Sequence, residues 1–493
     1  MKSISKQRGI ALLVFVAVLV TTAAAVTVTA LNRSSQNVHI ARDKITAAAL
    51  AQAKEALIGY AITYGDIHSG EVHGYLPCPD TSGTDIGGEG GAAGSCGAKD
   101  VSVIGRLPWK KLNSPPLRGG DNECLWYAVS GTYKNNPPTG LMNWDTNGQL
   151  QVYAHDGVNL LTPADNQAVA VIIAPGVALD SSHPTVSGTS SCSGNYLASN
   201  YLDNDTVHHI NNADIAAGKF IQPHKDRDAN GNIILTVNDQ IAYITKQDIW
   251  NAMKRRELVL LAKLDNMTEL TARCIAEFGK KNKIDGFLDR ANQSLPWPTR
   301  LTLSDYGATA SYYDKKNLFS GRVPYQVDIS RAKTGNIISS DYLLTKGTYN
   351  EVSGHWENNC PNPDDWATIY PWWFNWKEHL FYAVSERFQP SSSATNPVCD
   401  SDHQCLHVNH PSNASNYAAV VIFAGKNLSG SARSKSDISK YLEGRNTTNM
   451  TGSANGNENY QADTTSGTFN DIVYCIKDDA NLTVVSGSAA GCP

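Results

Sequence analysis

The apolar positions near the N-terminus form one long run that leads into a helical pattern. Residues 10–31 contain no charged residue, no glycine and no proline. Beyond them, apolar side chains recur every four or five positions, as on one face of a helix, at Ile40, Ile45, Ala49, Ala53 and Leu57. Between positions 10 and 64 the sequence has a single helix breaker, Gly59. We therefore predict a continuous helix over residues 10–64, about 80 Å long at about 1.5 Å per residue. We expect the apolar face of its second part, from Ile40 to Leu57, to lie against a globular head.

A second helical pattern begins near the middle of the chain. No glycine or proline occurs between Thr245 and Gly279, and apolar residues recur near helical spacing at Ile249, Met253, Leu260, Leu264, Met267, Leu270 and Ile275. Thr245, followed three positions later by Asp248, is a plausible N-cap arrangement. Charged residues at positions 254–257, 263 and 265 exclude a membrane location for this helix. The alternative interpretation is a helix between domains that has no counterpart elsewhere.

The two halves of the chain share an internal repeat. Five segments recur in the same order: residues 76–79 resemble 295–298, 105–108 resemble 321–324, 125–130 resemble 380–385, 168–176 resemble 418–425, and 238–246 resemble 470–477. Strand-like runs at 150–154, 233–237, 417–423 and 471–476 are bounded by turn dipeptides such as Asn147-Gly148 and Asn230-Gly231. These patterns predict two tandem units, each with a helix laid against an antiparallel sheet.

Composition narrows the class of protein. A chain of 493 residues is longer than a single hydrophobic core usually supports, so we expect two domains. The net charge of −5 argues against nucleic acid as the main partner. The ten cysteines include no Cys-x-x-Cys pair, so in an exported chain disulfides are the expected state.

The N-terminus resembles that of the type IV pilin and type II secretion pseudopilin superfamily. Basic residues Lys2, Lys6 and Arg8 precede Gly9, and the apolar run begins at Ile10. The resemblance implies that a prepilin peptidase cleaves after Gly9 and that the freed amine of Ile10 is N-methylated. It also implies an inner-membrane helix, a periplasmic head and later residence at a pilus or pseudopilus tip. A secretory signal cleaved near residues 23–25 and a plain membrane anchor are the alternatives.

The same resemblance, together with the internal repeat, predicts how the rest of the chain divides into domains. It implies an α+β fold with residues 1–9 as leader, 10–33 as the membrane and filament-core helix, 34–245 as a first pilin-like unit, and 246–493 as a second. It implies a disulfide between Cys475 and Cys492, because pilins often end in a disulfide-closed loop. The implied partners are other pilins or pseudopilins, the inner-membrane assembly machinery and the membrane itself.

Val14 departs from the family pattern. Most members have a glutamate at this fifth mature position, which is thought to pair with the N-terminal amine of a neighbouring subunit. A buried charge is costly unless it is paired. The large K-type minor pseudopilin, which sits at the pseudopilus tip, also lacks this glutamate. We therefore expect a non-enzymatic minor subunit that initiates or caps a type IV pilus or type II pseudopilus. A pilus-tip adhesive module and an anchored periplasmic enzyme of unrecognised type are the alternatives.

One segment has the oxygen-rich spacing of a calcium loop. Candidate ligands fall at alternate positions, Asp226, Asp228, Asn230 and Asn232, with Gly231 at the sixth position. The expected twelfth-position glutamate is replaced by Val237, with Asp239 two residues later, so a plain hairpin turn is the other interpretation. K-type pseudopilins bind calcium, and residues 203–205 are possible further donors.

Two further clusters leave alternatives open. His403, His407 and His410, near Asp402 and Cys405, have a spacing that suits a transition metal, but a loop with a local Cys399–Cys405 disulfide fits as well. Four tryptophans at positions 366, 372, 373 and 376 suit either glycan binding or a core, and core is the favoured interpretation. Motifs of serine hydrolases, zinc proteases and P-loop enzymes do not occur in the sequence.

Overall fold

The computed structural model describes residues 7–138, 140–179, 191–192, 194–227, 230–254, 256–281, 294–327, 343–344, 360, 363–390, 399, 405–410, 415–429 and 433–493. In the first helix, side chains are described from Asn37 onward. The α-helices of these residues are α1 (Gln7–Ile67), α2 (Lys246–Lys254), α3 (Glu257–Lys281), α4 (Pro363–Trp376) and α5 (Gly444–Asn449). Single 3-10 turns occupy Ala198–Asn200, Thr309–Ser311, Lys377–His379, Glu386–Phe388 and Ile438–Lys440.

The described strands are short and alternate with long loops. They are β1 (Val103–Arg106), β2 (Trp126–Val129), β3 (Gln151–Tyr153), β4 (Ala168–Ala174), β5 (Asn204–Asp205), β6 (Ile210–Asn211), β7 (Lys219–Ile221), β8 (His224–Arg227), β9 (Ile233–Val237), β10 (Gln240–Thr245), β11 (Ser320–Arg322), β12 (Leu380–Val384), β13 (His407–Val408), β14 (Tyr417–Phe423), β15 (Asn459–Tyr460), β16 (Ile472–Lys477) and β17 (Val484–Ser486).

The two main sheets share the order and register of four equivalent strands, and the second sheet adds β17 at one edge. The first sheet runs β1-β2-β4-β10 and the second β11-β12-β14-β16-β17, and every pairing within them is antiparallel. Equivalent tyrosines make equivalent bonds, because Tyr127 Oη donates to the Pro77 carbonyl at 3.1 Å and Tyr382 Oη to the Pro296 carbonyl at 3.0 Å. The internal repeat seen in the sequence is therefore a repeat of structure.

Each main sheet is covered on one face by a helix. Helix α1 packs on β4 and β10, and α3 packs on β14, β16 and β17. The buried residues of α1 are Thr46, Ala49, Leu50, Ala53, Leu57, Ile58, Tyr60, Ala61 and Tyr64. One apolar core joins both units, and it includes the four tryptophans of α4, at positions 366, 372, 373 and 376, which are all buried. The interpretation of these tryptophans as core is confirmed.

The second predicted helix is present but divided. Thr245 caps α2 as expected: its backbone N donates to Asp248 Oδ2 at 2.9 Å, and Asp248 N lies 3.3 Å from Thr245 Oγ1. The helix ends at Lys254, and α3 begins at Glu257. At the break, Arg256 turns back to α1 and pairs with Asp66 at 2.8 Å. The break lets the chain contact both α1 and the second sheet.

Three parts of the predicted fold need correction. No helix in the described part of the chain is both long and apolar enough to cross a membrane, which overturns the expected membrane-embedded half and the expected inner-membrane location. The sheet content is also more divided than predicted, since four two-stranded sheets accompany the main ones and two of them are parallel. The result is a mixed α/β fold with several small sheets. Finally, Ile40 and Ile45 are exposed rather than buried, because the head first covers α1 near Thr46.

Candidate functional site

The N-terminal helix extends beyond the head of the protein. Gly9, Ile10 and Val14 lie within the α1 backbone, and their side chains are outside the described set. From Asn37 to Ile45 every residue of α1 is exposed, and this stretch includes three large apolar side chains, Val38, Ile40 and Ile45. These side chains have no apolar cover in the described part of the chain.

The head first contacts α1 at a glycine pair. Gly120 N donates to Thr46 Oγ1 at 2.9 Å, and a Cβ at Gly120 would come within 2.3 Å of the Arg42 carbonyl oxygen. Only glycine therefore permits this approach. Asp121 adds an exposed ion pair with Arg42 at 3.0 Å.

The predicted calcium loop is the turn of a β-hairpin. Strands β8 and β9 pair antiparallel around residues 230–232, and Gly231 has the positive φ of 84° that the turn requires. Asp226 lies in β8, whereas Asp228 falls outside the described residues. Arg227 directs its guanidinium to the Gly231 carbonyl at 2.7 Å, which places a cation against the loop. Asp226 accepts a bond from the neighbouring Arg227 N at 2.7 Å.

Asp203, one of the possible further donors, and Asp239 are both held in hydrogen bonds at the start of β10. Asp239 is fully buried, and its Oδ2 accepts from Asp203 N at 2.7 Å and from Asn212 Nδ2 at 2.9 Å. Burial raises the pKa of Asp239 to about 8, and the nearby charge of Asp203 adds to the shift. Asp203 Oδ2 in turn accepts from Asn238 N at 2.7 Å.

The second unit contains the same carboxylate pair. Asp471 Oδ2 accepts from Glu443 N at 3.2 Å and from Asn446 Nδ2 at 2.9 Å. Burial raises the pKa of Asp471 well above its usual value, and the Glu443 carboxylate contributes next. Because both units have this arrangement at the start of equivalent strands, it belongs to the architecture of the repeat. The repeated Asn-Asp dipeptide, at 238–239 and 470–471, was its signal in the sequence.

A polar cluster joins the two units, and no motif in the sequence indicated it. Asp145 of the first unit accepts from Arg433 Nη1 at 2.8 Å and lies 2.9 Å from His379 Nε2, both in the second unit. The Trp144 indole Nε1 also donates toward His379 Nε2, at 3.1 Å. Burial lowers the pKa of His379, and the ion pair between Asp145 and Arg433 supplies opposite charges on the two sides of the cluster. The cluster is therefore a charged link between units.

A second ion pair lies beside this link. Glu378 is buried, and its Oε2 lies 2.8 Å from Lys435 Nζ. A cavity of about 820 Å³ opens next to it, between the units, and Asp145, Glu378 and Lys435 contribute to its wall. The ligand atoms of Asp145, Glu378 and His379 are close enough to hold a metal ion. However, Arg433 and Lys435 already neutralise both carboxylates, which disfavours a cation there.

Disulfides account for all ten cysteines. The pairs are Cys78–Cys96, Cys124–Cys192, Cys274–Cys360, Cys399–Cys405 and Cys475–Cys492. The expected Cys475–Cys492 closure and the local Cys399–Cys405 bridge are confirmed. Five disulfides indicate folding in an oxidising compartment, such as the periplasm or the cell exterior.

The histidine-rich segment is only partly described. His407 and His410 have ring centroids 5.1 Å apart, while Asp402 and His403 lie outside the described residues. Cys405 is bound in its disulfide and is therefore not a thiolate ligand.

Comparisons with protein-family models, with curated proteins and with solved structures found no match for this chain.

Proposed function

We propose that this chain is a pilin-like minor subunit that initiates or caps a type IV pilus or type II secretion pseudopilus. The observation that carries the proposal is the division of α1. Its C-terminal half packs on an antiparallel sheet, whereas every residue from 37 to 45 is exposed, including three large apolar side chains. In a filament of helices, such a stretch would be covered by neighbouring subunits.

Two features favour a terminal position over a repeating one. Val14 lacks the carboxylate that would pair with the amine of a neighbouring subunit. The head also contains two complete helix-and-sheet units around one core, and this bulk disfavours close repetition along a shaft. The partners we propose are other pilins or pseudopilins, with a prepilin peptidase acting between Gly9 and Ile10.

The proposed role is assembly and not catalysis. The inter-unit cluster of Asp145, His379 and Arg433 is occupied by its own ion pair, and it presents no nucleophile in hydrogen-bond contact with the histidine among the described residues. The adhesive alternative rested partly on the tryptophan cluster. Burial of those four side chains removes them as an exposed platform.

Genetic deletion tests this function. In the native host, loss of pili or of secretion is the expected result, and complementation with the wild-type chain restores it. Intact filaments that have lost attachment would favour adhesion instead. Intact filaments, secretion and attachment would refute the proposal.

Variants of α1 test the surface that carries the proposal. Ile40→Asp and Ile45→Asp place a charge on the exposed stretch, and we expect folded protein that fails to complement the deletion. Ile67→Asp is the matched control, since it makes the same change at a 65 % exposed isoleucine at the far end of the same helix. Full complementation by the first two variants would contradict the proposed packing of α1.

A further inference from the structure

Two histidines and an aspartate converge on one side of the first unit, away from the predicted calcium loop. Asp205 ends β5, His208 follows three residues later, and His224 begins β8. Each residue offers one ligand atom, and these atoms all lie within 4.8 Å of one another. Asp205 is fully buried, the His208 side chain is 23 % exposed and His224 is 7 % exposed. The cluster is thus enclosed on two sides and open to solvent past His208.

The orientation of His224 leaves one ring nitrogen free. Its Nδ1 contacts the backbone carbonyl of His155, and because a carbonyl only accepts, Nδ1 carries the proton. Nε2 therefore has a lone pair. That atom is buried and has no hydrogen-bond partner within the described chain. A buried acceptor without a partner destabilises the folded state, and a bound ion would remove that penalty. Metal-binding histidines have this arrangement, with the second nitrogen held by a carbonyl or carboxylate.

Asp205 and His208 face the same position. Asp205 Oδ2 lies 2.7 Å from His208 Nδ1, and Asp205 Oδ1 accepts from Val207 N at 3.1 Å. The rings of His208 and His224 are almost perpendicular, with centroids 4.9 Å apart. No described arginine or lysine forms an ion pair with Asp205. This distinguishes the cluster from the one around Asp145, where Arg433 and Lys435 occupy the carboxylates.

We propose that Asp205, His208 and His224 bind a divalent transition-metal ion of the Zn²⁺ class. Imidazole nitrogens with a carboxylate oxygen are a ligand set that Zn²⁺ accepts, and three protein ligands leave a fourth position for water. The ion would take the place of the hydrogen bond between Asp205 and His208. By joining β5 to β8, it fixes the β8–β9 hairpin on the first unit.

Calorimetric titration with ZnCl₂ alone tests the site in the full-length, chelator-treated protein. The wild type should bind saturably, and Co²⁺ should give a d–d absorption band in the same protein. His224→Asn and His208→Asn should each lower the affinity by about 10- to 100-fold or more. His209→Asn is the matched control, because it removes an adjacent exposed histidine whose φ of 55° suits asparagine. It should leave the affinity unchanged.

Three results of these titrations would overturn the proposal. Absence of Zn²⁺ binding by the wild type in the micromolar range overturns the proposal, as does wild-type affinity in both His208→Asn and His224→Asn. If His209→Asn loses as much Zn²⁺ affinity as the two ligand variants, the proposal is also overturned, because the loss would then not be specific to the proposed ligands. If His224→Asn does not fold, as judged by circular dichroism, the partly exposed His208→Asn decides the question alone.

Discussion

Replacing Asp145 by Asn should weaken the link between the two units. Asn keeps the volume and one acceptor oxygen but removes the negative charge. Arg433 would then remain as a buried cation, since its side chain is only 1 % exposed. Removing one partner of a buried ion pair typically costs about 3–5 kcal/mol. Because Asp145 is 20 % exposed, we expect a loss at the lower end of this range, about 3 kcal/mol.

The pH dependence of this loss has a defined sign. Burial alone would raise the pKa of Asp145, but the hydrogen-bond contact with His379 and the charge and hydrogen bond of Arg433 outweigh it. The pKa is therefore held well below its usual range. A carboxyl with a depressed folded-state pKa contributes stability above its unfolded pKa, about 3.9, and loses it as the pH falls toward the folded value. The difference between wild type and variant should be constant from pH 5 to 8 and should shrink below pH 4.

Urea unfolding followed by tryptophan fluorescence measures this free energy. Asp165→Asn is the control, because it makes the same change at an exposed position of the same unit. A double variant with Arg433→Gln should lose less than the sum of the single variants, because the stranded cation is gone. If Asp145→Asn unfolds at the wild-type urea concentration, or if its deficit grows at low pH, the ionic link is refuted.

Three further predictions concern buried groups and the C-terminal loop. Burial lowers the pKa of Lys377 to about 7, so wild-type stability should fall as the pH drops from about 10 to 7. Lys377→Met should raise the free energy of unfolding at pH 7 by on the order of a few kcal/mol, and lower stability in urea would contradict this. Because the pKa of Asp239 is raised to about 8, the free energy of unfolding should fall as the pH rises from about 4 to 8. Asp239→Asn should flatten this pH dependence, and a variant with the wild-type pH profile would contradict the prediction. Replacing Cys475 and Cys492 by Ala opens a loop of sequence separation 17 and should lower the free energy of unfolding by about 3 kcal/mol. Thermal unfolding measures this loss, and a melting midpoint equal to that of the wild type would contradict it.

The repeat allowed much of the fold to be predicted from the sequence. Strands such as β4 and β14 were visible because continuous apolar runs recur beside the same turn residues. The cap of α2 was visible because Thr245 and Asp248 are only three residues apart. Local patterns of this kind fix local structure. They also identified the Cys475–Cys492 pair once a family resemblance was added.

Long-range pairings could not be predicted in this way. Asp145 and Arg433 lie in different units, and neither belongs to a motif. His224 meets Asp205 only because β5 and β8 are brought together by the fold. Helical spacing likewise identified Ala49, Ala53 and Leu57 as buried but could not show where the head begins, so Ile40 and Ile45 were assigned to the wrong surface.

Mass spectrometry of the mature N-terminus tests the proposed function most directly, in protein purified from the native host. Cleavage between Gly9 and Ile10 predicts a chain that begins at Ile10 and carries a methylated amine. A chain that begins at Val26, or an intact chain that begins at Met1, would contradict a pilin-like role for this protein.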